Sequence, residues 1–430
     1  MLQNIKSSFI LKKIFEKLRC KSQLKLIKYN KAVSTRLKVT LQNYQDEFFR
    51  EFYSKFNLKI IDLKNKELKL NEKKIDNNKL EFLSKIKFES LKVLYLNNNQ
   101  ISEINSLEKV SYKEIKYLNL CGNQIENIEY LIKANLSQIR ILYLMNNRIS
   151  DIKALNNNSY FKQLKELNLG KNRICDLTGL KQANFENLKV LNLNSNDISN
   201  ITALKEIKCP KLKILDLNNN QITNINILNE VNFKELRVLY LKENKITDIE
   251  ILKQVHFPNL KELNLNNNGI SLIDVLENVR FTQLKALDLN HNNITNINVL
   301  AKTNFKKLKY LNLGHNKISD IEVFKNLNSK ELKLLNLKFN NIKDIKALLN
   351  NMNLKNLRKL YLTGNGIHFR SINDIREFEY KINILKILKI SYYFRKPSKI
   401  KKLYGYGENF MDYFNEEKEE DFINEHFIDE

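Results

Sequence analysis

Tryptophan is absent from this chain of 430 residues, and proline occurs three times, cysteine four times and glycine nine times. So few glycines count against any enzyme that cradles phosphates in Gly-rich loops. Cys20, Cys121, Cys175 and Cys209 lie far apart, with no C-x-x-C pair. They read as reduced thiols in an intracellular protein rather than as a disulfide frame or a zinc site. The opening residues hold only a short apolar run, Phe9-Ile10-Leu11, before Lys12 and Lys13. That is no secretory signal, and no stretch approaches the length of a membrane span. The cytoplasm is the expected compartment, with the nucleus as the alternative and no membrane association.

What the chain does have is apolar bulk and positive charge. Its residues are 43% hydrophobic, enough for a large core, and 73 Lys and Arg against 48 Asp and Glu give a net charge of +25. A charge of that size attracts acidic proteins, nucleic acid or anionic lipid without choosing among them. Abundant Asn, Lys and Ile beside scarce Gly and Pro also fit an AT-rich coding bias.

The organising feature is an internal repeat. From Leu91 the chain reads LKVLYLNNNQI, and the pattern restarts at Ile115, Ile139, Leu164, Leu188, Leu212, Leu236, Leu260, Leu284, Leu308, Leu332 and Leu357. Positions 1, 4 and 6 of each copy are Leu or Ile, and position 11 is Ile. Position 9 is Asn in all twelve: Asn99, Asn123, Asn147, Asn172, Asn196, Asn220, Asn244, Asn268, Asn292, Asn316, Asn340 and Asn365. An earlier segment, LKIIDLKNKEL from Leu58 to Leu68, fits as a degenerate first coil with Lys66 in the Asn place.

Each column has a physical job. LxxLxL sets alternate side chains on one face of a short strand. Stacked copies then pair into a parallel sheet at about 4.8 Å per coil. The turn after the strand leaves inward-facing N–H and C=O groups unpaired, and each one buried so costs roughly 1–3 kcal/mol. Asn carries both an acceptor and donors, so a column of Asn can bridge each coil to the next. Three residues before most copies stands a bulky apolar side chain: Phe88, Tyr112, Leu136, Phe161, Phe185, Phe233, Phe257, Phe281 and Phe305, interrupted by Cys209 and Ser329. Such a spine widens the far side of the stack and curves it.

This pattern resembles the leucine-rich repeat family, and LxxLxLxxNxI followed by NxI(S/T)xI is most similar to its intracellular SDS-like class. The resemblance implies an α/β fold: a right-handed, curved solenoid with a parallel sheet on its concave face and helical caps. The reading divides the chain into a basic helical segment 1–56, repeats over 57–369, a C-terminal helical cap 370–411 and an acidic tail 412–430. Residues 1–45 carry 11 basic residues against Glu16 alone, and their apolar residues, such as Leu11, Ile14, Phe15 and Leu18, fall at helical spacing. Their order weakly resembles an F-box; the other reading is a plain N-terminal cap over the exposed end of the first coil, as repeat arrays require. Residues 370–394 read as helical, and 412–430 hold nine acids against Lys418. That last stretch is a candidate to fold back on basic side chains.

Alternation puts positions 3 and 5 on the concave face. The candidate protein-binding residues there are Val93, Tyr95, Tyr117, Ile141, Tyr143, Val238, Tyr240, Tyr310 and Tyr361, since interfaces are anchored by aromatics. The bland alternative is ordinary strand preference for such residues. Position 2 is basic in all twelve copies, from Lys92 to Arg358. It is either a rail for an acidic partner or a solvated rim whose stems cover the leucines. His291 and His315 occupy position 8 of adjacent copies but lack the further ligands a metal needs.

No catalytic constellation, metal site or cofactor is expected. The expected function is a non-enzymatic, monomeric scaffold for an unidentified protein partner, with nucleic acid an improbable one. The alternatives are a ubiquitin-ligase substrate receptor using an F-box-like N-terminus, a phosphatase regulatory subunit, and a polyanion binder.

Overall fold

The computed structural model describes residues 66–367, apart from 85, 87, 89, 110–113, 135, 157–160, 328, 350–353 and 355, together with 35, 37, 380 and 389–391. Within them fourteen three-residue strands form one all-parallel sheet in chain order. They are β1 (Glu67–Lys69), β2 (Val93–Tyr95), β3 (Tyr117–Asn119), β4 (Ile141–Tyr143), β5 (Glu166–Asn168), β6 (Val190–Asn192), β7 (Ile214–Asp216), β8 (Val238–Tyr240), β9 (Glu262–Asn264), β10 (Ala286–Asp288), β11 (Tyr310–Asn312), β12 (Leu334–Asn336), β13 (Lys359–Tyr361) and β14 (Lys389–Ser391). Every regular strand is positions 3 to 5 of its copy, paired without slippage: Leu94 opposite Leu118, Leu118 opposite Leu142, Leu142 opposite Leu167. A one-residue slip would turn the leucines out to water, which is why the register holds.

The core is a continuous column. Leu at positions 4 and 6 and Ile at position 11 are buried in every coil, as in Leu215, Leu217 and Ile222. On the far side the chain returns through 3-10 turns such as Thr202–Lys205 and Asn226–Asn229, and through short helices α1 (Asn77–Ser84), α2 (Glu129–Lys133) and α3 (Lys346–Leu349). The 3-10 geometry suits the sequence. Ile at position 14 and Leu at position 17 are three apart, the period of that helix, and both are buried, as in Ile225 and Leu228. Phe161, Phe185, Phe233, Phe257, Phe281 and Phe305 fill the space behind them.

Between strand and turn the Asn column closes the backbone. The Oδ1 of Asn220 accepts from the Ile198 N–H of the coil before at 3.0 Å. Its Nδ2 donates to the Leu193 carbonyl of that coil and to Leu217 and Asn218 of its own, at 3.1, 3.1 and 3.0 Å. The same pattern runs from Asn99, which takes the Ile75 N–H, to Asn365, which takes that of Ile342. One residue earlier, position 8 adopts positive φ in every coil, with Gly at only Gly122 and Gly364.

Three expectations change. The degenerate first coil is shifted by seven residues: β1 sets Leu68 opposite Leu94, so Leu68 is position 4 and the missing Asn is Lys73, not Lys66. Lys73 brings only its backbone, and its N–H donates to Asn99 at 3.0 Å. Ile75, at position 11, is fully buried and decides this frame. Second, the stretch read as helical over 370–394 contains β14, whose residue 390 registers opposite Leu360. Alternation of Leu388 and Ile390 about Lys389 suits a strand as well as a helix, and the open edge of β13 offers the partner. Third, positions 3 and 5 are not uniformly open: Glu262, Asn264, Ala286, Asp288, Asn312, Leu334 and Asn336 are buried. The segments 1–56 and 412–430 and the rest of 370–411, with the F-box-like and cap readings, lie outside the described residues, apart from residues 35, 37 and 380.

Candidate protein-binding face

Strand alternation presents Val93, Tyr95, Tyr117, Ile141 and Tyr143 side by side on β2, β3 and β4, all half-buried. Tyr95 and Tyr117 stand with ring centroids 4.9 Å apart, tilted at 48°, and Tyr117 meets Tyr143 edge-on at 5.6 Å. Tilted and edge-to-face pairs of this kind are favoured over face-to-face stacking by the ring quadrupoles. The Lys69 ammonium lies 5.9 Å from the centre of the Tyr95 ring. At the other end the Tyr143 hydroxyl donates to Glu166 Oε2 at 2.6 Å. Burial first, and then that carboxylate, hold the Tyr143 hydroxyl well above the usual range, so it stays protonated. Cys121 and Met145, two residues beyond the strand positions of Asn119 and Tyr143, are half-buried beside this patch. They are apolar members that the repeat pattern alone does not single out.

The remaining candidates do not join it. Val238 and Tyr240 lie on β8, Tyr310 on β11 and Tyr361 on β13. The Tyr310 hydroxyl accepts from Asn312 Nδ2 at 3.0 Å, and the Lys338 ammonium stands 4.8 Å over the Tyr361 ring. Tyr240 belongs to a different cluster, with Asp216, Glu262 and Asp288. Asp216 accepts from the Asn218 N–H and from Asn194 Nδ2, both at 3.0 Å. Asp288 accepts from the Asn290 N–H at 2.9 Å and from Asn312 Nδ2 at 3.2 Å. Glu262, only 5% exposed, is bonded by the Tyr240 side chain, and its Oε1 has no partner. Burial chiefly, with Asp288 adding to it, pushes the Glu262 carboxyl up to about 7.

Position 5 also does structural work that reading it as an open wall overlooks. Where it is Asn or Asp, the side-chain oxygen accepts from the N–H two residues on, as from Asn119 to Cys121 and from Asn192 to Asn194. The sequence signal was present, since this column alternates only between Tyr and Asn or Asp. On the rim, the position 2 carbonyl accepts twice from the next coil, Lys92 from the N–H groups of Lys116 and Tyr117. The backbone of the basic column is thus part of the sheet, while its side chains are half-buried or exposed. His291 and His315 stack at 3.8 Å, and His315 stacks on Phe339 at 4.4 Å. Among the described residues no three of His, Cys, Asp or Glu converge on a point that would hold a metal.

The comparisons with known proteins agree with this architecture. A family signature described as Leucine Rich repeats (2 copies) matches residues 89–133, 137–182, 186–230, 234–278 and 282–326. No curated protein matches the chain. Among solved structures, an internalin of Listeria monocytogenes, InlF, is 27% identical, with a TM-score of 0.63 over 82% of this chain and 95% of that one. A leucine-rich-repeat protein of Leptospira interrogans is 23% identical, with a TM-score of 0.55 over 81% and 87% of the two chains. The functional domain of InlJ, also from Listeria monocytogenes, is 19% identical, with a TM-score of 0.52 over 82% and 75%.

Proposed function

The chain belongs to the leucine-rich repeat family, and from that premise we propose that it is a non-enzymatic scaffold that grips a protein partner across its parallel sheet. The anchor is the patch of Val93, Tyr95, Tyr117, Ile141 and Tyr143. The observation that carries this reading is the tyrosine series on β2, β3 and β4, with centroids 4.9 and 5.6 Å apart. Three large rings sharing a half-exposed surface lose little rotamer freedom on binding, which is why aromatic anchors dominate interface energetics. Free thiols at Cys121, Cys175 and Cys209 support placing it in a reducing, intracellular compartment.

Affinity capture with mass spectrometry tests the reading. The full chain is compared with the double variant Tyr95→Ala/Tyr143→Ala, whose folding is checked by circular dichroism. Truncating two central anchors costs about 2–4 kcal/mol each, enough to remove a micromolar partner. Specific prey should therefore be lost. Prey retained undiminished by the folded variant would move the interface off this patch.

A further inference from the structure

In seven successive coils a cation stands immediately before the strand: Lys92, Lys116, Arg140, Lys165, Lys189, Lys213 and Arg237. Among the described residues none of the seven has a carboxylate within 4 Å, although lysines elsewhere on the surface do. Lys181 pairs with Glu206 at 3.3 Å, Lys205 with Glu230 at 3.6 Å and Lys302 with Glu277 at 3.3 Å. Like charges about 5 Å apart repel by about 0.8 kcal/mol even in water, so the run stores repulsion that an acidic occupant relieves. The tyrosine patch adjoins its first three members. An occupant that matches both features carries carboxylates interleaved with aromatic and aliphatic side chains.

We propose that this occupant is the chain's own residues 412–430, which lie along the basic run from β2 to β8 with their apolar residues on the tyrosine patch. The inference rests on reading that wall as a protein-binding face. The segment, DYFNEEKEEDFINEHFIDE, holds nine carboxylates and Lys418, with Tyr413, Phe414, Phe422, Ile423, Phe427 and Ile428 among them. It is complementary in charge to the run and alike in character to the patch. The reach is sufficient. β14 holds residues 389–391 at the far end of the sheet, and the 21 residues from there to Asp412 extend to about 70 Å. Twelve strand spacings separate β14 from β2, about 58 Å along the sheet. Tethering gives the segment an effective concentration on the order of millimolar, so a weak contact suffices to fill the wall and compete with a partner.

The test is zero-length carbodiimide coupling of the purified full chain at low salt, read by peptide mass spectrometry. Links within one chain from carboxylates of 412–430 to Lys92, Lys116, Lys165, Lys189 or Lys213 are expected. They should vanish at about 1 M salt, where screening shortens to about 3 Å, and in the full-length charge reversal E416K/E417K/E419K/E420K. Links found only in dimers would make a second copy the occupant and overturn the proposal. Links spread evenly over surface lysines such as Lys234 and Lys306 would overturn it too. So would RNA binding with a steep salt slope that the reversal leaves unchanged. Capture with the same variant separates the two readings: a several-fold gain in tyrosine-dependent prey is expected if the segment competes. Tyrosine-dependent prey without any links would sink this proposal alone, and links without prey would sink only the partner-binding reading.

Discussion

Asn220 shows how the repeat divides its energetic load. Removing its side chain in Asn220→Ala leaves the Leu193 and Leu217 carbonyls with other donors, Asn196 and Asn244, both at 3.0 Å. The Ile198 N–H, whose acceptor was Asn220 Oδ1, is left buried with none. One orphaned donor costs about 1–3 kcal/mol and the lost bonds about 0.5–1.5 each, so a penalty of about 3 kcal/mol is expected. Asn220→Asp should not rescue it, because a carboxylate would face three carbonyls. Hydrogen exchange at Ile198 is the direct readout, and protection kept in the Ala variant would contradict the account. Glu262 makes the opposite case. Its carboxyl titrates near 7 when folded, against 4.5 ordinarily, so between those values the folded chain holds the extra proton. Stability therefore falls as pH rises through that window and is level above it, by an amount on the order of 3 kcal/mol. Glu262→Gln, which cannot ionise, should melt above the parent at about pH 8 and with it at about pH 4. The Asn column was legible because it never varies. The burial of Glu262 was not, because alternation assigns a face and says nothing of how far neighbours cover it.

At the scale of the element, an Asn or Asp at position 13 opens the 3-10 turns after the first regular coil, which has Glu103 there. The Asn or Asp oxygen accepts from the N–H two residues on: Asp151 from Lys153, Asn224 from Asn226 and Asp320 from Glu322, at 2.8, 2.7 and 2.8 Å. Coil 260–283 departs from the rule, with Leu272 at this place and 70% exposed. Leu272→Asn should restore the cap and withdraw an apolar side chain from water. A gain of about 1 kcal/mol is expected, seen as slower exchange of the Asp274 amide; no change would mean the turn is held by Ile273 and Leu276 alone. The same level explains where sequence reading slipped. Around the first coil, LKIIDL and ELKL both carry the apolar spacing of a strand. Only the link from Ile75 to Asn99, 24 residues on, selects the second. Strand β14 was missed because three residues of alternation are too few to outweigh a helical period over twenty-five.

Across the whole molecule, curvature comes from a mismatch between a strand spacing that hydrogen bonds fix on one side and side-chain bulk on the other. The phenylalanine spine supplies the bulk, and Cys209 tests the idea because it replaces Phe in one coil and is fully packed at 2% exposure. There the returning chains close on each other. Asn184 and Lys208 form a parallel bridge, with the Phe185 N–H on the Lys208 carbonyl at 2.8 Å and the Lys208 N–H on that of Ala183 at 3.0 Å. Among the described residues no other such bridge lies outside the sheet. Inserting a ring must force these backbones apart. Cys209→Phe is therefore expected to cost about 1–3 kcal/mol by overpacking, although it makes the repeat more regular, and to expose the Phe185 and Lys208 amides to exchange. Because each coil touches only its neighbours, the loss should stay within one or two coils. The amides of β11 and β12 should keep their protection. A variant as stable as the parent, with the bridge intact, would show that the spine does not set the spacing, and curvature would then have to originate in the sheet itself.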